Sequence, residues 1–249
     1  MSEAKRFYRD WTGHGTQSSL LRMTLVQEES DLEVFYSHDV TGIEKTLTEC
    51  RRILTSQIQR EPSFLSSLVP IPNAAGDLPL IRQMKAAARI AGVGPMAAVA
   101  GAVAEYLGSR FIERNRDLIL ENGGDLYLSL ADERRVMIYA GESPFSNRLA
   151  LRIKASDTPA GVCTSSGTFG HSLSFGKADA VVAVARDTAL ADAAATAIAN
   201  RVQTITDIER AIQFAGSLKG LRGVVVIVED RIGVWGDVEL SASSRQAGS

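Results

Sequence analysis

The strand candidates of this chain come in adjacent pairs, and the pairs are separated by paired helices rather than by single ones. Residues 20–27 and 31–37 read as strands joined by the short turn Glu28-Glu29-Ser30. Helical patterns follow near 41–58, 80–91 and 95–116, then strands at 118–120, 125–130, 136–140, 149–155, 161–164 and 179–185. Helices are expected at 188–202 and 207–215, and two strands at 223–228 and 231–235 close the pattern. A parallel doubly wound sheet requires strict strand–helix alternation, which is absent. Hairpins with paired helices on one face give an α+β fold with largely antiparallel sheets. The order suggests two fused ββααββ-type halves in a single domain over 1–240, with 241–249 as a frayed tail.

Local signals set the expected helix boundaries. Thr41-Gly-Ile-Glu44 and Thr206-Asp-Ile-Glu209 match capping boxes. Ile43, Leu47, Cys50, Leu54 and Ile58 form an apolar stripe on the first helix. Pro62, Pro70, Pro72 and Pro79 mark an irregular connection. On the third helix Ala97, Gly101, Ala104 and Gly108 recur at helical spacing. Such small residues permit either tight packing or room for a ligand.

Composition narrows the function classes. Hydrophobic residues make up 45% and charged residues 22% of 249, as in ordinary globular proteins. A net charge of -2 without a basic run does not favour nucleic acid or an anionic membrane. Two cysteines, Cys50 and Cys163, fit neither a zinc motif nor a disulfide framework. The first ten residues are polar, and the longest apolar run, 90–104, is shorter than a spanning helix. The expected location is cytoplasmic.

The segment 161–200 carries the chemistry. Thr164-Ser165-Ser166-Gly167-Thr168 groups hydroxyls around a glycine, and such loops present N–H groups to phosphate. A polar turn is the plain alternative; the segment matches neither a P-loop nor a Rossmann fingerprint. His171 follows and is a candidate proton acceptor, or a structural histidine. Asp192 and Thr196, one turn apart in an alanine-rich helix, can share one hard cation such as Mg²⁺. Thr196 can instead bond its own helix backbone. Upstream, Glu121-Asn-Gly-Gly-Asp125 reads as a hairpin turn. Its two glycines, Gly123 and Gly124, also leave room for a ring or phosphate against the backbone, and an acid stands on each side.

Gly123-Gly124-Asp125, Thr164-Ser165-Ser166-Gly167, His171 and Asp192-Ala193-Ala194-Ala195-Thr196 occur in an order that resembles the ApbE family. These are Mg²⁺-dependent FAD-binding proteins, many of which transfer FMN to other proteins. The resemblance runs from about residue 94 to the C-terminus and is nearest to a small, soluble ApbE-like branch. It implies a T-fold-related α+β architecture, FAD and Mg²⁺ as cofactors, and a phosphate-bearing small molecule as partner. It assigns the cation to Asp192 and Thr196 and catalysis to His171. Ligand contacts fall to Gly123, Gly124, Asp125, Thr164, Ser165, Ser166, Gly167, Thr168 and Glu105.

Two motifs depart from the family. Lys-Gly-Tyr-Ala-Val-Asp is replaced by Ala100-Gly-Ala-Val-Ala-Glu105, and the Ile-Asp-Pro-Arg-Thr-Gly after the histidine by Ser172-Leu-Ser-Phe-Gly-Lys177. These changes keep two other functions open: binding of a non-flavin nucleotide or phosphometabolite on the same scaffold, and a non-enzymatic interaction role.

Overall fold

The computed structural model describes residues 20–167 and 176–243. β1 (Leu21–Gln27) and β2 (Ser30–Tyr36) form a hairpin in which Gln27 pairs with Ser30. The helices α1 (Ile43–Arg60), α2 (Ser63–Ser66), α3 (Pro79–Ala91) and α4 (Val99–Phe111) follow, and a 3-10 turn, Pro95–Ala98, leads into α4. Then come the hairpin β3 (Leu118–Asn122) and β4 (Asp125–Ser129), and the strands β5 (Arg134–Met137) and β6 (Leu149–Ile153). The second half holds β7 (Ala160–Ser165), β8 (Ala180–Ala185), α5 (Thr188–Ala199), α6 (Ile208–Ser217), β9 (Leu221–Val228), β10 (Arg231–Gly236) and β11 (Glu239–Ala242).

Eight strands form one antiparallel sheet in the order β1-β2-β3-β4-β7-β8-β9-β10, and β11-β6-β5 form a second. Along the large sheet, strand pair, helices, strand pair occurs twice, as the order of sequence patterns implied. The helices cover one face and the three-stranded sheet packs on the other. Side-chain alternation explains both layers. Val181, Ala183, Val224 and Val226 join the helical core, whereas Val182, Val184, Val225 and Ile227 face the smaller sheet. β8 is therefore apolar on both sides, and all six of its residues are buried.

The alanines of α5 allow a close fit between α4 and β7. A Cβ on Gly101 of α4 would lie 2.4 Å from the Thr188 carbonyl oxygen, and one on Gly161 of β7 2.5 Å from Thr188 Cα. A Cβ on Gly108 would strike the Tyr127 ring at 2.2 Å. At these positions the small-residue stripe of α4 serves packing.

Four expectations need correction. The Thr41–Glu44 capping box does not form: Gly42 is the N-cap, at φ 92, without a side-chain cap. The Thr41 N–H instead donates to Asp39 Oδ1 at 2.8 Å. The second capping box lies two residues early, pairing Thr204 with Asp207 on the 3-10 turn Ile205–Asp207. On α1 the buried stripe passes from Cys50 to Ile53 and Gln57, leaving Leu54 and Ile58 half-buried. Gln57 tolerates burial because its amide donates to Glu61 at 2.8 Å. Finally, Ser241 and Ala242, expected in the tail, pair with Ala150 and Leu149 of β6. Among the described residues no single helix is long and apolar enough to cross a membrane.

Candidate functional site

The hairpin turn between β3 and β4 lies at one side of the candidate site. Asn122 pairs with Asp125, leaving Gly123 and Gly124 as a two-residue turn at φ 68 and 103. Both values suit glycine. A Cβ at either position would meet nothing within 4 Å, so the turn borders open space. The Gly124 N–H donates to Glu121 Oε1 at 2.7 Å, and Asn122 Nδ2 donates to the Ala100 carbonyl at 3.0 Å. The turn is thereby tied to the first turn of α4.

Strand register brings Asp125 to the end of β7. Leu126 pairs with Val162, so Asp125 stands opposite Cys163. The Thr164 N–H donates to Asp125 Oδ1 at 3.3 Å, and the Cys163 thiol bonds the same carboxylate. Cys163 is buried and its Sγ lies 3.5 Å from the Thr188 carbonyl. Burial, with Asp125 and Asp192 beside it, pushes its thiol well above the usual range. Cys163 is thus a protonated packing residue rather than a nucleophile.

α5 supplies the third side. Along residues 189–199 only Asp192 and Thr196 are less than fully buried, and the two stand one turn apart on the same face of the helix. Asp192 Oδ2 accepts the Gly101 N–H at 2.8 Å, and its carboxylate also takes the Ala100 N–H. These are unpaired donors of the first turn of α4, where the helix dipole favours an anion. Even so, burial and the nearby Asp125 charge push the Asp192 carboxyl well above its ordinary range. Asp125 rises to about 7, through burial above all and the Glu121 charge as a lesser cause, against the opposing bonds from Cys163 and Thr164. Among the described residues no lysine or arginine acts on either carboxylate. Two neighbouring acids without a counter-charge favour a bound proton or a bound cation.

The hydroxyl loop contributes unequally. Ser165 is 3% exposed, and among the described residues its Oγ has no hydrogen-bond partner. A buried unpaired hydroxyl is costly unless something else supplies the bond. Thr164 and Ser166 are half-buried and Gly167 is exposed. Thr168 and His171 lie outside the described residues. Glu105, expected among the ligand contacts, has its Oε2 engaged with the Thr188 N–H at 2.7 Å. It caps α5 from α4 across 83 positions of sequence. The structure thus sets Asp125 beside Asp192 and Cys163, ties the Gly123-Gly124 turn to the start of α4 through Asn122, and engages Glu105 at the start of α5. Sequence reading passed over Asn122, whose only signal was its place beside the Gly-Gly turn.

A family model described as AbpE bacteria matches residues 11–231. The chain belongs to this ApbE-like family. A UPF0280 protein of Methanocaldococcus jannaschii is 40% identical over 201 residues, covering 78% of this chain and 81% of the relative. One from Methanococcus aeolicus is 33% identical over 222 residues, covering 87% and 90%. Among solved structures, the flavin transferase ApbE from Vibrio cholerae superposes with a TM-score of 0.56 at 12% identity, over 92% of this chain and 98% of that one. The ApbE protein from Thermotoga maritima gives 0.54 at 11% identity, over 86% and 96%. At such identities the superpositions establish the fold alone.

Proposed function

We propose that this ApbE-like chain binds a nucleotide through its phosphates, together with a divalent cation, beside the Gly123-Gly124 turn, the end of β7 and α5. FAD and Mg²⁺ are the pair best supported by the family. The observation that carries the reading is the buried Asp125 beside the half-buried Asp192, itself one helical turn from Thr196, with no basic partner for either acid and no hydrogen-bond partner for the Ser165 hydroxyl among the described residues. Among the described residues no three His, Cys, Asp or Glu side chains gather to hold a metal. A small protein donor set suits Mg²⁺, which takes few protein oxygens and completes its shell with water and ligand phosphates. Asp192 and Thr196 would hold the ion, with Asp192 Oδ2 kept in place by Gly101. A bound Mg²⁺ would neutralise charge on the phosphates. Ser165 and the backbone after it would donate to phosphate oxygens.

The reaction that fits is FMN transfer. An acceptor hydroxyl oxygen forms a bond to the FMN phosphorus of FAD, the bond to the AMP oxygen breaks, and AMP leaves. The hydroxyl proton passes to a base, for which His171 is the candidate. Incubation with FAD, Mg²⁺ and a Ser/Thr acceptor peptide then releases AMP and leaves FMN on the peptide. If an authentic transferase releases AMP under the same conditions and this protein does not, the transfer reading is wrong. One observation favours a second reading. Asp192 already caps α4, so its carboxylate is stabilised without a metal, and the site can take a phosphorylated ligand alone; ligand binding unaffected by EDTA would select it.

A further inference from the structure

We infer that Glu105 is a positioning residue for Asp192, acting through the start of α5 rather than by touching ligand or cation. The inference rests on the reading of Asp192 as a cation ligand. Two helices cap each other here. The Asp192 carboxylate of α5 accepts the Gly101 N–H of α4 at 2.8 Å, and the Glu105 carboxylate of α4 accepts the Thr188 N–H of α5 at 2.7 Å. Gly101 and Glu105 lie one turn apart on α4, as Thr188 and Asp192 do on α5, so the two bonds close a four-cornered clamp. Its centre has no slack, because a Cβ on Gly101 would lie 2.4 Å from the Thr188 carbonyl and 2.9 Å from Asp192 Cβ.

The Thr188 N–H is one of the donors that a helix start leaves without an internal partner. Asp187 serves another, accepting the Leu190 N–H at 2.9 Å. If the Glu105 bond is lost, the first turn of α5 is free to shift against α4, and Asp192, one turn further on, moves with it. Outer residues that orient a ligand side chain in this way commonly matter roughly 10- to 100-fold in metal affinity.

The bond needs an acceptor oxygen at the reach of a glutamyl side chain; it does not need the charge. A direct ligand contact would need the charge. Glu105→Gln and Glu105→Asp separate the two: the first keeps the reach and loses the charge, the second does the reverse. Mn²⁺ affinity of the full-length protein is measured by calorimetry for the native chain, both Glu105 variants and Asp192→Asn. Thermal melting confirms that each is folded, and hydrogen exchange follows the first-turn amides of α5 without metal. The expected result is Glu105→Gln within about threefold of native and Glu105→Asp weaker by roughly tenfold or more. Exchange in the first turn of α5 should be faster only in Glu105→Asp. Glu105→Gln as weak as Glu105→Asp, or Glu105→Asp equal to native in affinity or exchange, overturns the inference. Native protein that binds no Mn²⁺, or binds it as well after Asp192→Asn, instead overturns the reading of Asp192, and the exchange comparison still decides whether Glu105 fastens α5.

Discussion

Gly101→Ala sets two effects of opposite sign against each other at the α4–α5 contact. Alanine is the better helix former, which favours the variant by up to about 1 kcal/mol. The added methyl would meet the Thr188 carbonyl oxygen at 2.4 Å, its carbon at 2.9 Å and Asp192 Cβ at 2.9 Å. Two of these three atoms are backbone of α5, so no side chain can turn aside. Reaching an ordinary contact near 3.4 Å requires the helices to part by about 1 Å. Strain of this kind costs typically about 1–3 kcal/mol, and the rigid neighbours place it at the upper end. The net expectation is a loss of about 1–2 kcal/mol, or roughly 2–8 °C in Tm for a chain of this size. Urea and thermal unfolding measure it directly. Parting the helices also draws the Gly101 N–H away from Asp192 Oδ2, so divalent-cation affinity should fall with stability. A Gly101→Ala protein as stable as native, or more so, would mean that propensity alone acts there, and the close approach and the clamp built on it would both be refuted.

The pH dependence of stability carries the signature of the paired acids. Asp125 rises from 3.8 to about 7 in the folded protein, so across that window the folded chain keeps a proton that the unfolded chain has released. Its contribution is therefore complete below pH 3.8 and is lost as pH rises through about 7. Relative to Asp125→Asn, the native protein should lose Tm between about pH 4 and 7, and Mg²⁺ should restore most at pH 8; an identical profile in the two proteins counts against a shared buried charge. Lys85 and Asp77, both fully buried, bond at 3.0 Å, and Glu61 adds a second carboxylate to Lys85 at 2.8 Å. Lys85→Ala strands Asp77 and should cost about 3–5 kcal/mol in urea unfolding; a loss below 1 kcal/mol would show that Arg60 alone suffices for Asp77.

Much of the architecture was legible because strand and helix periods differ and because hairpin turns announce themselves. Glu28–Ser30 and Gly123-Gly124 join the strands they were expected to join. β11 escaped notice because Glu239-Leu-Ser-Ala242 has little apolar content, and only pairing with β6 makes it a strand. The capping boxes failed because a Ser/Thr-x-x-Glu spacing does not say which residue leaves the helix, and Gly42 at φ 92 takes that place. In the site, spacing along one helix placed Asp192 and Thr196 on a shared face. Long-range partners were not legible: Asp125 beside Cys163 depends on register between β4 and β7, and Glu105 on Thr188 depends on how two helices cross. Ser165 stood in a row of hydroxyls with nothing to mark it, and only burial distinguishes it from Thr164 and Ser166.

The most direct test of the proposed site is a calorimetric titration of FAD into native protein and Asp192→Asn, each with Mg²⁺ and with EDTA. The account predicts that native protein binds FAD tightly only with Mg²⁺ and that Asp192→Asn binds it equally weakly in both. FAD binding that is indifferent to Mg²⁺, or no binding in any combination, would contradict it.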